Sequence, residues 1–189
     1  MATSTSVANQ AIVLMGDNTP PVTGVAPTFD NSTAGVALQN LYAPCVATVM
    51  RQFAWDFARN SVALQLTGNA PVFGWTFEYF YPPNTIELWQ VFPPPASVDP
   101  NNPLPINWNV ANNIVGGVQT KVIQTNLANA QAVINNYPNE STWDPLFQEE
   151  VVRLLASELA MAIAGKPDTA QALFESAGTF GQLGMERPD

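Results

Sequence analysis

The sequence predicts an α+β fold, mainly α, in which a helical bundle carries an inserted small antiparallel β-sheet. Three observations predict it. Apolar residues recur at helical spacing near both ends of the chain: Ala8, Ala11, Ile12 and Met15, then Phe147, Val151, Leu154, Leu155, Leu159 and Ala162. Between them, Ile106-Asn107-Trp108-Asn109-Val110 alternates apolar and amide side chains, the period of a half-buried strand. The length, 189 residues, fits one domain, and 47% hydrophobic residues exclude wholesale disorder. The expected layout is a bundle from 5–66 and 144–177, a β insertion over about 72–138, and a C-terminal arm over 178–189.

The first helix spans 5–15 and ends at Gly16, a C′ glycine, before Asp17-Asn18-Thr19-Pro20-Pro21 forbids continuation. A loop then runs to about Phe29. Asp30 is the expected N-cap of a second helix with the stripe Ala34, Leu38, Leu41, Cys45, Val49 and Phe53. Pro44 lies inside that stripe, so either the helix bends there or a new one starts with Pro44 in its first turn. Cys45 is expected to be a small core residue, since no cation stands beside it to make a thiolate.

The aromatic segment Phe53 to Arg59 leads into Val62-Ala63-Leu64, and Gly68-Asn69-Ala70-Pro71 breaks it. The odd positions of Phe73, Trp75, Phe77, Tyr79 and Tyr81 are expected to bury their rings on one side of an extended segment. A stacking platform for nucleic acid would need a basic groove, and the only charge here is Glu78. If Trp75 is buried, its replacement by alanine should cost about 3–5 kcal/mol. Strands follow over Ile86–Phe92, Ile106–Val110, Val118–Thr125 and Ala130–Tyr137, the last two joined by a polar turn near Asn126. A meander of about four antiparallel strands is the economical arrangement. The proline-rich stretch Pro93 to Pro105 cannot join a sheet; it is either a surface loop or a stiff arm that contacts a partner.

Asp144 caps the next helix, with Pro145 in its first turn and a Glu149–Arg153 pair on its wet side. Gly165 and Pro167 end it. Asp168 and Gln171 form the pattern of a capping box for a last helix reaching about Ala177. The tail from Gly178 to Asp189 cannot build a core alone, so it is either frayed or an arm that folds on another chain.

Composition narrows the function. The chain has no histidine and one cysteine, which excludes Ser-His-Asp triads, Cys-His dyads, internal disulfides and cysteine zinc cages. Six cations against fifteen acids give a net charge of −9, which repels phosphate backbones. Asn and Gln together number 29, more than the 21 charged residues, and the fifty residues from Gln90 to Asn139 carry only Asp99 and Lys121. Interface cores are depleted of charge, so this stretch is expected to be covered by neighbouring copies. Adjacent Glu149 and Glu150 point to different sides of a helix and are no catalytic pair. Neither a secretory signal nor an apolar run of about eighteen residues is present, so a cytoplasm-like compartment and no membrane contact are expected.

From Trp55 to Asn84 the chain resembles the head-to-tail adaptor proteins of short-tailed bacteriophages (podoviruses), also called tail tubular protein A. Members carry Trp-x-Phe-Ala at the end of the second helix, matched by Trp55-Asp56-Phe57-Ala58. They continue with Pro-x-x-Gly-Trp-x-Tyr-x-Tyr-x-Leu-Pro-x-Asp, matched by Pro71, Gly74, Trp75, Phe77, Tyr79, Tyr81, Pro82 and Asn84. Phe77, Tyr81 and Asn84 depart from that pattern, at packing positions and one turn cap. The order of elements is also similar, from Leu14-Met15-Gly16 through the Cys45 helix to Trp143-Asp144-Pro145-Leu146-Phe147, over about residues 5–177.

The resemblance implies a virion structural protein, not an enzyme, with no cofactor, metal or catalytic residue. It implies a dodecameric ring in the virion neck, assembled in the host cytoplasm, that joins the portal protein to the tail nozzle protein. The genome would pass through the ring without tight binding. Phe180, Leu183, Met185 and Arg187 become candidates for contact with the portal, and Pro94, Pro95 and Leu104 for contact with a neighbouring subunit or the nozzle. Trp55, Phe57, Trp75, Tyr79, Pro82, Trp143 and Phe147 are the family-motif and core positions. The alternative function is a glycan-binding or other tail-associated module that uses its aromatic and amide surface. A cell-wall hydrolase would need two carboxylates at a defined separation in a cleft, and no such pair is evident in the sequence.

Overall fold

The computed structural model describes residues 2–53, 55–71, 74–94 and 106–185, with side chains as far as Ala177. Helix α1 (Ser4–Leu14) is opened by Thr3, whose hydroxyl accepts from the N–H of Ser6 at 3.1 Å while Ser6 Oγ accepts from the N–H of Thr3 at 2.9 Å. Gly16 follows in the left-handed region at φ 65°, the expected terminator. A small hairpin, β1 (Gly24–Val25) and β2 (Thr28–Phe29), then leads into α2 (Thr33–Gln52).

Ser32, not Asp30, caps α2: its Oγ accepts from the N–H of Gly35 at 3.0 Å. Asp30 stands outside the helix and organises the entry. It accepts from the Ser32 hydroxyl and from the N–H groups of Thr23 and Ser32, and these donors hold its carboxyl down at about 2. A Cβ on Gly35 would lie 2.0 Å from the carbonyl oxygen of Asp30, so this turn admits only glycine. Pro44 does not start a new helix. It sits inside α2 on the exposed side.

Helix α3 (Pro145–Leu159) starts as its sequence dictates, with Asp144 Oδ1 accepting from the N–H of Leu146 at 2.8 Å and Pro145 in the first turn. It packs against α1, α2 and α4 (Pro167–Met185). That is why burial spreads past the expected stripe to Glu150, Val152, Ala156 and Ser157. A π-helical turn, Ala160–Ala164, then shifts the phase of the side chains. Ala162, expected in the core, is exposed as a result. Gly165 ends the turn in the left-handed region. Because α4 begins at Pro167, Asp168 lies in its first turn rather than at its cap, and Gln171 donates to Glu175 instead of closing a capping box. Helix α4 also runs past Ala177 to Met185, so most of the expected arm is helical; Arg187 lies outside the described residues.

These elements form one compact unit, Met1–Phe57 with Pro138–Asp189, and Ala58–Tyr137 form a second. The second starts earlier than the expected insertion: β3 (Arg59–Ala63) is a strand within the stretch assigned to the bundle. The expected single meander is replaced by two three-stranded antiparallel sheets. In one, β8 (Gln131–Asn136) lies between β3 and β5 (Thr85–Phe92); in the other, β7 (Val118–Thr125) lies between β4 (Phe77–Phe80) and β6 (Trp108–Val115).

The turn near Asn126 therefore crosses between sheets and does not close a hairpin. Thr76 donates to Asn126 Oδ1 through its N–H and hydroxyl, the Tyr79 hydroxyl donates to the Leu127 carbonyl at 2.7 Å, and Asn129 adopts φ 52°. The segment after β3 also links the sheets. The N–H of Leu64 donates to the Ala130 carbonyl at 3.0 Å, and Gln65 and Thr67 pair with Phe80 and Glu78 of β4. Tyr79, Ile123, Leu88, Val91, Ala132 and Ile134, drawn from both sheets, fill the core between them, with Phe77, Tyr81, Trp108 and Val110 at its margin. The fold is thus α+β.

Candidate functional site

Three groups of residues stand out. The first is aromatic and lies where the chain leaves the helical unit and returns to it. Phe147 on α3 meets Trp55, Phe57 and Trp143 edge-on, at centroid distances of 5.1, 5.1 and 4.9 Å. Each indole finds a backbone acceptor: Trp55 Nε1 donates to the Val49 carbonyl at 3.0 Å and Trp143 Nε1 to that of Pro138 at 3.2 Å. Four of the seven positions expected to form the motif and core therefore meet in one cluster. The other three lie in the β unit, where Tyr79 is buried and Trp75 and Pro82 are half-buried. Trp75 is thus not the fully buried ring that the sequence suggested; Phe73 lies outside the described residues.

The second group surrounds Glu78, which is 1% exposed although it is the charge in the aromatic segment. Its Oε1 accepts from the Thr67 hydroxyl at 2.9 Å and from Asn69 Nδ2 at 3.5 Å; its Oε2 accepts from Asn113 Nδ2 at 2.8 Å and Gln124 Nε2 at 3.2 Å. Burial alone would raise this carboxyl, but the donors Asn113, Gln124, Thr67 and Asn69 outweigh it and hold it below the usual range. A carboxylate already saturated with donors stays ionised and has no room for acid–base work. The strand period sets Glu78 opposite the rings at 77, 79 and 81, so the sequence carries no signal of its burial beyond its being the segment's sole charge. Glu150 is the opposite case: 1% exposed, with no hydrogen-bond partner on either oxygen among the described residues, and pushed up to about 7 by burial. Cys45 is buried, and burial, then the charge of Glu158, pushes its thiol up to about 12, so it is inert.

The third is a surface. Strands β6 and β7 are joined by Gly116-Gly117, at φ 58° and 83°, the backbone that a two-residue hairpin turn needs. Beside this turn Ile114 and Val118 are 67% and 65% exposed. Strand β6 is an outer strand of eight residues with no charge, no proline and unbroken register. The other sheet margins are managed. Strand β5 has two register breaks and prolines at both flanks, the outer side of β4 is taken by Gln65 and Thr67, and β3 is short and opens with Arg59. Lys121 on β7 lies 3.7 Å from the centre of the Tyr81 ring.

Pro94 is half-buried just after β5, while Pro95 and Leu104 lie outside the described residues. Phe180, Leu183 and Met185 lie on α4. Among the described residues, no three acidic or cysteine side chains are grouped to hold a metal ion, and no helix is long and apolar enough to cross a membrane. No protein-family model and no curated protein matches this chain.

Proposed function

We propose that the chain is a structural subunit of a virion, a head-to-tail adaptor whose copies form a ring between the portal protein and the tail nozzle protein. In this reading the helical elements act as a bundle at the ring's frame, and the DNA exit channel runs through copies that do not grip it. The carrying observation is strand β6, which carries no charge and, among the described residues, pairs with no strand besides β7, with Ile114 and Val118 exposed at the hairpin tip. Such an edge is an aggregation liability in a monomer and a ready interface in an assembly.

Charge supports the same reading. Residues Ala58–Tyr137 carry Glu78, Glu87 and Asp99 against Arg59 and Lys121, a net of −1, so −8 of the −9 resides in the other unit. Copies meeting through the β unit avoid most of their mutual repulsion. Resemblance around Trp55–Asn84 supplies the particular assembly, and the Trp55–Phe147 cluster gives those motif positions a structural role.

Size-exclusion chromatography with light scattering, run on the chain alone and with a portal protein from a short-tailed phage, tests the proposal. A ring or a portal complex is expected. A monomer that never binds portal, or specific binding on a glycan array, would overturn it.

A further inference from the structure

We infer that α4 is a releasable element: loss of the proton from Glu150 frees α4 from α3, with the turn Ala160–Lys166 as the hinge. This concerns the free chain and holds whether or not the adaptor reading does.

The geometry begins on the side of α3 that faces α4. Ser157 Oγ donates to the Ala170 carbonyl at 2.8 Å, and Arg153 Nη1 donates to Ser176 Oγ at 3.2 Å. Glu150 lies one turn before Arg153 on that same stripe. The two contacts run antiparallel, so Glu150 comes level with the α4 backbone just past Ala177, itself 4% exposed. Among the described residues, neither Glu150 oxygen has a hydrogen-bond partner.

Among the described residues no charge compensates it. Helix α1 carries no titratable side chain, α2 offers Tyr42, Cys45 and Arg51, α4 offers Asp168 and Glu175, and α3 itself Glu149, Arg153 and Glu158. None of these bonds Glu150, and burial is the single cause of its raised value. A neutral carboxyl tolerates this site. An ionised one there is strongly disfavoured unless water reaches it, and separating α4 from α3 admits water.

The connection permits that motion. The π-helical turn Ala160–Ala164 and the left-handed Gly165 form a joint without a continuous α-helical ladder. A carboxyl raised to about 7 in the closed state favours closure while protonated. The ratio of open to closed chains should therefore climb up to about tenfold per pH unit between the unperturbed value of 4.5 and about 7.

The test places spin labels at Val36→Cys and Phe174→Cys, which are 47% and 58% exposed in the wild type, in a Cys45→Ser background. Distances are measured by double electron–electron resonance from about pH 5 to about pH 8.5. One narrow distance is expected at the acid end and a longer, broader population at the alkaline end. Glu150→Gln and the apolar Glu150→Met should both keep the narrow distance throughout. An unchanged distribution in the wild type, persistence of the change in both variants, or loss of the whole chain's near-UV signal at alkaline pH would overturn the inference.

Discussion

The ring of Trp143 meets that of Phe147 edge-on, with centroids 4.9 Å apart and planes at 88°. Trp143 stands where the chain returns from the β unit, and Trp55 and Phe57, where it departs, meet the same Phe147 ring. One buried side chain on α3 thus anchors both ends of the excursion. Phe147→Ala should lower the stability of the helical unit by about 3–5 kcal/mol, read from the urea midpoint. An unchanged midpoint would remove the anchor from the account.

Trp75 makes a contrasting case. Because it is half-buried, Trp75→Ala should cost only about 1–2 kcal/mol, clearly less than Phe147→Ala. Equal losses for the two variants would contradict the difference in burial.

Glu78 predicts a pH dependence. Its carboxyl is held below its unperturbed value of 4.5, so its contribution is fully present above that value and is lost as pH falls through the folded-state value. Glu78→Gln should therefore melt lower than the wild type near neutral pH, and the gap should close under acid. A gap that is constant across that range would mean the donors around Glu78 do not favour its charge.

Glu150 predicts the opposite sign. Burial raises it to about 7, so stability is greatest while it is protonated, below 4.5, and is lost as pH rises through about 7. Glu150→Gln should stabilise the chain by about 1–2 kcal/mol at alkaline pH and by nothing near pH 4. Thermal melts at both ends of the range check it; a variant that destabilises at alkaline pH contradicts it.

Much of this fold was legible in the sequence, because caps and periodicity act locally. Asp144-Pro145, Gly16 and Gly165 mark helix boundaries by chemistry confined to a few residues. What escaped depends on distant partners. Asp30 resembles an N-cap until Thr23 takes one of its oxygens and Ser32 the other, and Val152 and Ala156 look like wet positions until α1, α2 and α4 close around α3. The sheet pairing is non-local in the same way, since Leu64 finds Ala130 and Tyr79 finds Leu127 across long stretches of chain. Glu78 was visible as a lone charge, but its four donors come from three separate segments.

The hairpin tip separates folding from assembly. Ile114→Asp and Val118→Asp replace exposed side chains, so each should shift stability by no more than about 0.5 kcal/mol. In the proposed ring the same changes should block or greatly weaken association, read by light scattering. Association at wild-type strength would place the interface elsewhere.

Amide hydrogen exchange at β6, compared between the free chain and the assembled particle, tests the assembly account most directly. The account predicts that the N–H groups of Trp108, Val110 and Asn112 slow markedly on assembly, as a neighbouring copy covers that edge. Exchange at those amides as fast in the particle as in the free chain would contradict it.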